Sequence, residues 1–260
     1  SLVAVQYHTH DRTGSYVAYD YGHNILASCE QDAILMTNGD NDTFPLWFLQ
    51  EVMGFRRDVR VVNLSLLNTS WYVKQLRDVQ PTLPIHYSDD YIDRVLTAFT
   101  RSAVVKSGRL WREDREVTAA GISWTIPASP RGILRIQDVM VLKLIDWNNW
   151  ERPFYFATTV PEQNLLNLKA HLQMEGMVYR LNPEKPGLVH PERTRRNLLE
   201  VYAYRGLSDP AVYRHENTIS LLVNYLAAFL QVAEAYRIEG RTDEALSLMR
   251  FSEENAVPPE

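Results

Sequence analysis

Apolar and polar positions fall in blocks along this chain, and the clearest block is AILMTNGDNDTFPLWFLQ, residues 33–50. An apolar run from Ala33 to Met36 gives way to Asn38-Gly39-Asp40-Asn41-Asp42-Thr43 and then to the apolar Phe44-Pro45-Leu46-Trp47. That pattern predicts strand, tight turn and helix. Pro45 suits a first helical turn, where a missing N–H costs nothing, and Asp42 or Thr43 can accept from the free N–H groups that follow it. Upstream, apolar residues at 17, 18, 21, 25 and 26 predict a helix over Tyr16 to Cys29. Downstream, the helix is expected to end near Gly54, and the β-branched run Val59 to Leu67 reads as a second strand. Asn68-Thr69-Ser70 then offers caps for a helix from Trp71 to Arg77. Two strand–turn–helix units in succession predict parallel strands joined by right-handed crossovers.

Pro81 to Pro84 breaks the pattern, and a helix is expected from Asp89 to near Val104. Residues 105–132 are irregular, with Leu110-Trp111 and Ile122 to Pro127 as short strands in a flap or hairpin. A helix over Ile136 to Trp147 and a third strand over Pro153 to Val160 follow, the strand ending in the small polar pair Thr158-Thr159. A helix from Glu162 to Gln173 and an edge strand over Met177 to Leu181 complete this part. Pro, Gly and charge mark 183–192 as a linker. Helices are expected over Arg193 to Tyr204, Ile219 to Glu239 and Asp243 to Glu254. The last two flank Gly240-Arg241 and place Phe229, Val232, Ala233, Tyr236, Ala245, Met249 and Pro258 near tetratricopeptide positions, although a generic helical hairpin has the same spacing. A single such unit cannot bury its own face and must pack on the first domain or on residues outside this sequence. The expected fold is therefore α/β over 1–182, with three or more mainly parallel strands in an open, Rossmann-like sheet with flanking helices. A helical, tetratricopeptide-like region over 193–260 follows it.

Composition narrows the function classes. An apolar content of 45% and a charged content of 23% are ordinary for a globular protein. A net charge of −5 without any basic block excludes nucleic acid as the expected partner. The single cysteine, Cys29, rules out an internal disulfide and a cysteine-built zinc site, and its helix marks it as a core residue. Ile219 to Tyr236 is long enough for a membrane span, but Asn224, Gln231 and Glu234 favour a buried bundle helix. No signal peptide is visible, and Ser1 reads as a cut end.

If the three strands are parallel neighbours, their polar carboxyl-end turns meet at one sheet edge, where ligands of open α/β sheets bind. The candidate ligand-binding residues are Asn38, Asp40, Asn41, Asp42, Thr43, Asn68, Thr69 and Thr158. Asp40-Asn41-Asp42 also has the form of a DxD motif, in which Asp40 and Asp42 would share Mg²⁺ or Mn²⁺ with a sugar-nucleotide diphosphate. The plainer account is turn and cap chemistry. His8, His10 and Asp11 invite a metal reading, but no third distant ligand is identifiable and loop hydrogen bonding accounts for them. GxGxxG, GxxxxGK[ST] and GxSxG are all absent, so no dinucleotide, P-loop or nucleophile-elbow reading stands. Glu51 sits a helix length from the turn, and helix N-termini can attract anions without any motif.

Several of these stretches resemble a bacterial family common in the Bacteroidetes, large membrane proteins similar to protein O-mannosyltransferases. The resemblance rests on His10-Asp11-Arg12, Tyr19-Asp20-Tyr21, Thr37 to Trp47 with Leu49 to Val52, Asp58 to Thr69, Arg152 to Ala157, Glu175-Gly176 and Val178 to Leu181, and it spans residues 8–182. It implies a soluble half that follows a many-helix membrane half and faces the periplasm from the bacterial inner membrane. Catalysis would lie in the membrane half, which uses a lipid-linked sugar donor, so no catalytic residue carries over. Three readings follow. In the first, this is a non-catalytic extracytoplasmic domain that binds an acceptor, a glycan or a partner protein. In the second, it has metal-dependent sugar-nucleotide or phosphate chemistry at Asp40 and Asp42. In the third, it is a scaffold that recruits protein through its terminal helices. The partner implied is the membrane half of the same polypeptide. No cofactor is expected, and a divalent cation belongs only to the second reading.

Overall fold

Ile34 to Thr37 are all buried, as are Phe154 to Ala157, which is what a strand flanked on both sides and covered on both faces requires. In the computed structural model, residues 13–96, 110–129, 132–209, 212 and 216–256 are described. The expectations placed on His8, His10 and Asp11, on the helix end near Val104 and on Pro258 lie outside these residues. The described α-helices of six residues or more are α1 (Val17–Ser28), α2 (Asp40–Glu51), α3 (Ser70–Asp78), α4 (Ile136–Asn148), α5 (Pro191–Arg196), α6 (Glu216–Ile238) and α7 (Thr242–Asn255). The strands are β1 (Ile34–Thr37), β2 (Arg60–Asn63), β3 (Arg115–Ala119), β4 (Ile122–Ile126), β5 (Phe154–Ala157), β6 (Leu172–Met174) and β7 (Val178–Leu181).

Five strands form one mixed sheet in the order β2-β1-β5-β7-β6. β2, β1 and β5 are parallel, with Thr37 opposite Asn63 and Met36 opposite Phe156, so their carboxyl ends share one edge. β7 then runs antiparallel to both β5 and β6. The expected parallel core is present, and two antiparallel strands extend it. β7 is not the edge strand expected for Met177 to Leu181, because β6 lies outside it. Leu172 and Gln173 of β6 belong to the stretch read as a helix, Glu162 to Gln173. Instead, 162–164 and 168–171 are short 3₁₀ turns, and Leu166 and Asn167 have positive φ. The cause is tertiary. Trp124 Nε1 donates to Leu166 O at 2.8 Å, and Asn167 Nδ2 donates to Thr125 O at 2.7 Å, so the insertion holds this segment out of a helix. The insertion itself is the hairpin β3–β4, turning through Ala120 and Gly121 at φ 48° and 79°.

α2 begins at Asp40, four residues ahead of the expected apolar opening, so Pro45 lies in its second turn. Gly22 of α1 makes room for that proline, since a Cβ there would sit 3.1 Å from Pro45 Cβ and from Leu49 Cδ1.

The terminal segments pack as a helical hairpin, α6 against α7, turning through Gly240 at φ 79°. Phe229, Val232, Tyr236 and Ala245 are buried in it. The buried apolar residues form one continuous cluster from the sheet into this hairpin. Tyr21 of α1 meets Tyr225 of α6 edge-on at 5.7 Å. Asn24 pairs with the Ala203 backbone in both directions, Nδ2 to O at 2.9 Å and Oδ1 from N at 3.0 Å. Arg205 closes on the buried Asp20 through both Nε and Nη2.

Glu175-Gly176 and Arg180 have a structural reason to be where they are. Glu30 Oε1 accepts from Arg180 at 2.5 Å and from Arg193 at 2.6 Å, while the buried Glu175 accepts from Arg193 Nε at 3.0 Å and from the Tyr155 hydroxyl at 3.3 Å. Gly176, at φ 90°, lies under Tyr202, whose hydroxyl accepts from Met177 N at 2.8 Å; a Cβ at Gly176 would overlap that hydroxyl. Cys29 is buried as expected, and burial pushes its thiol up to about 12. Among the described residues, no helix is long and apolar enough to cross a membrane.

Candidate functional site at the carboxyl edge of the sheet

The aligned ends of β1, β2 and β5 bring their following turns together, and a single carboxylate organises them. Asp42, the third residue of α2, is 3% exposed. It accepts from Asn38 N at 2.9 Å and Gly39 N at 3.0 Å, so it caps its helix backwards rather than binding the N–H groups after it. Thr159, after β5, donates its hydroxyl to the same carboxylate at 2.6 Å. Beneath it, Thr37 and Thr43 share a hydroxyl contact of 2.7 Å, and Asn63 Nδ2 donates to Thr43 Oγ1 at 2.9 Å. Above it, Ser65 Oγ donates to Asn38 O at 2.9 Å, and Asn164 Nδ2 donates to Asn38 Oδ1 at 2.6 Å. Arg135 reaches Asn164 Oδ1 at 2.8 Å while paired to Asp138, the third residue of α4.

Of the residues picked from sequence, Asn38, Asp42 and Thr43 belong to this network. Asn68 borders it, with Oδ1 accepting from Gln137 N at 3.1 Å and Nδ2 donating to Gln137 Oε1 at 2.9 Å, which caps the start of α4. Thr69 turns back to donate to Leu66 O at 2.7 Å. Thr158 points away, its Oγ1 buried beside Tyr21, and its neighbour Thr159 makes the contact instead. Asp40 and Asn41 are exposed. At about 100° per residue, Asp40 and Asp42 lie on different sides of α2, and both oxygens of Asp42 already accept from backbone N–H groups. The two carboxylates are therefore not brought together as a pair. Among the described residues, no group of three or more His, Cys, Asp or Glu could hold a metal ion.

Sequence reasoning missed Asn63, Ser65, Arg135, Asp138 and Asn164, and from the Thr158-Thr159 turn it picked Thr158 rather than Thr159. Asp138 is an acidic residue in the first turn of a recognised helix, which was a usable signal. Asn164 sat inside a stretch read as a helix and gave none.

The outer side of this edge is aromatic. Phe44, opening the second turn of α2, and Trp71, in the first turn of α3, are 53% and 56% exposed. Ring contacts link them through Trp47 and Tyr72, with centroids 5.8, 6.5 and 5.5 Å apart. Exposed Phe44 thus shares α2 with the exposed Asp40 and Asn41 at the start of that helix. Tyr72 is the buried member; its hydroxyl accepts from Asn63 N at 3.0 Å, and burial pushes it up to about 12.

No solved structure matches this chain. Protein O-mannosyl-transferase tmem260 of Dictyostelium discoideum is 24% identical over 70 residues, a stretch covering 27% of this chain and 8% of that protein. The model of TMEM260-associated domain 2 matches residues 18–94 and 91–197, which hold β1, β2, β5, β6, β7 and every residue of the polar network. The chain belongs to the TMEM260-associated domain 2 family.

Proposed function

We propose that this chain is a non-catalytic accessory domain of a membrane glycosyltransferase-like protein, and that it binds the acceptor, a protein or its glycan, on the rim of the sheet's carboxyl edge. The observation that carries this reading is the exposed aromatic chain from Phe44 to Trp71 beside Asp40 and Asn41. Exposed aromatic clusters rimmed by polar groups are what recognition surfaces use. The family relation supports a neighbouring membrane half of the same polypeptide, and on this reading the domain stands on the periplasmic face of a bacterial inner membrane. Titrating acceptor peptides and glycans against tryptophan fluorescence tests it. Phe44→Ala combined with Trp71→Ala should weaken binding about 10-fold or more, the scale of an aromatic hot spot. Undiminished binding by that variant would move the surface elsewhere.

A second reading, a protein-recruiting scaffold of tetratricopeptide type, is favoured by one feature of α6. Val223, Leu226 and Leu230 are exposed on one stripe of this helix. Serine at these three positions should abolish capture of any partner bound there while leaving the aromatic rim intact.

A further inference from the structure

A second hollow lies away from the aromatic rim, between the antiparallel half of the sheet and α6. Its volume is about 430 Å³, large enough for a peptide group with one side chain. Val160, Leu165 and Leu172 are buried in its walls, and all three are aliphatic.

Its lining also carries the polar residues Thr158, Glu162, Lys169, Tyr179 and Gln231. The Tyr179 hydroxyl and the Gln231 side-chain amide both line the hollow, and neither makes a hydrogen bond to another described residue. The charges at the mouth neutralise each other, Lys169 Nζ lying 3.6 Å from Glu162 Oε1. A charged ligand would therefore meet no uncompensated opposite charge. A sugar ring would set hydroxyls against the aliphatic Val160, Leu165 and Leu172. A primary amide such as Gln231, by contrast, donates and accepts at once and so matches a peptide group on both its N–H and its C=O.

We propose that this hollow binds an uncharged peptide segment, which inserts one aliphatic side chain between Val160, Leu165 and Leu172 and pairs its backbone amide with Gln231 and Tyr179. This inference does not rest on the aromatic rim, and either can fail without the other.

The test uses N-acetyl-leucinamide, titrated into the 260-residue chain and followed by backbone NMR shifts. Saturable shifts at Leu165, Leu172, Tyr179 and Gln231 are expected, with markedly weaker binding of N-acetyl-glycinamide, which lacks the side chain. Gln231→Leu and Tyr179→Phe, each checked for an unchanged fold by circular dichroism, should each weaken the leucine probe by about 2- to 10-fold, the loss of one neutral hydrogen bond. Equal affinity for the glycine probe, unchanged affinity in both variants, no saturable shift, or tighter binding of methyl α-glucopyranoside at the same residues would each overturn the proposal.

Discussion

Asp42 and Thr159 stand 117 residues apart in the chain and 2.6 Å apart in the fold, a carboxylate after β1 accepting the hydroxyl that follows β5. The same carboxylate holds the backbone N–H groups of Asn38 and Gly39. It thereby fixes the first turn of the helix that displays Phe44 and Trp47.

Asp42→Ala should accordingly destabilise the protein by about 2–4 kcal/mol, because it leaves buried donors unpaired. Asp40→Ala, two residues earlier and exposed, should change stability by less than about 0.5 kcal/mol. Urea denaturation of the two variants measures the contrast, and a loss at Asp40 equal to that at Asp42 would contradict this account of the turn.

Gly22→Ala and Gly176→Ala should both destabilise, for different reasons. At Gly22 the added methyl meets Pro45 and Leu49 at 3.1 Å, and the overpacking outweighs the helix propensity gained, a net cost of about 1–2 kcal/mol. At Gly176 the methyl overlaps the Tyr202 hydroxyl in a left-handed backbone, so the cost should exceed that at Gly22. Thermal melts of both variants, with Gly54→Ala as a positive-φ control in open space, test the order.

Glu30 and Glu175 share two arginines yet should give opposite pH signatures. Burial pushes Glu30 up, but Arg193 and Arg180 outweigh it and hold its carboxyl below the ordinary value of 4.5. Its contribution to stability is therefore present above that value and is lost as pH falls through the lowered pKa. Burial dominates at Glu175 and raises it against the pull of the same arginines. Its contribution is fully present below 4.5 and is lost as pH rises through the raised pKa. Unfolding free energies from pH 3 to about 7 should lose the acid limb in Glu30→Gln and the opposing slope above 4.5 in Glu175→Gln.

Cys29, with a thiol pushed up to about 12 inside the core, should not react with Ellman's reagent in the native protein at pH 8 and should react fully in denaturant. Rapid native labelling would show that α1 opens readily.

The strand–turn–helix unit around Asn38 was legible because composition changes sharply there from apolar to small polar and back. Its helix start was not, because Pro45 reads as a first-turn residue while Asp42 in fact caps the turn behind it. The edge shared by β1, β2 and β5 followed from two successive units and a third strand. The insertion of β7 between β5 and β6 could not follow, since nothing in Val178 to Leu181 distinguishes a central strand from an edge. The stretch from Glu162 has helix-like leucine spacing, and only the distant Trp124 and Thr125 explain why it does not coil.

Asn24 behaves towards Ala203 as a surrogate backbone, offering donor and acceptor as a neighbouring strand would. An expression fragment that stops at residue 182 would strip that partner from α1, along with the guanidinium that neutralises Asp20. Such a fragment should aggregate or melt early even with every strand of the sheet retained, so the first helix depends on residues made long after it.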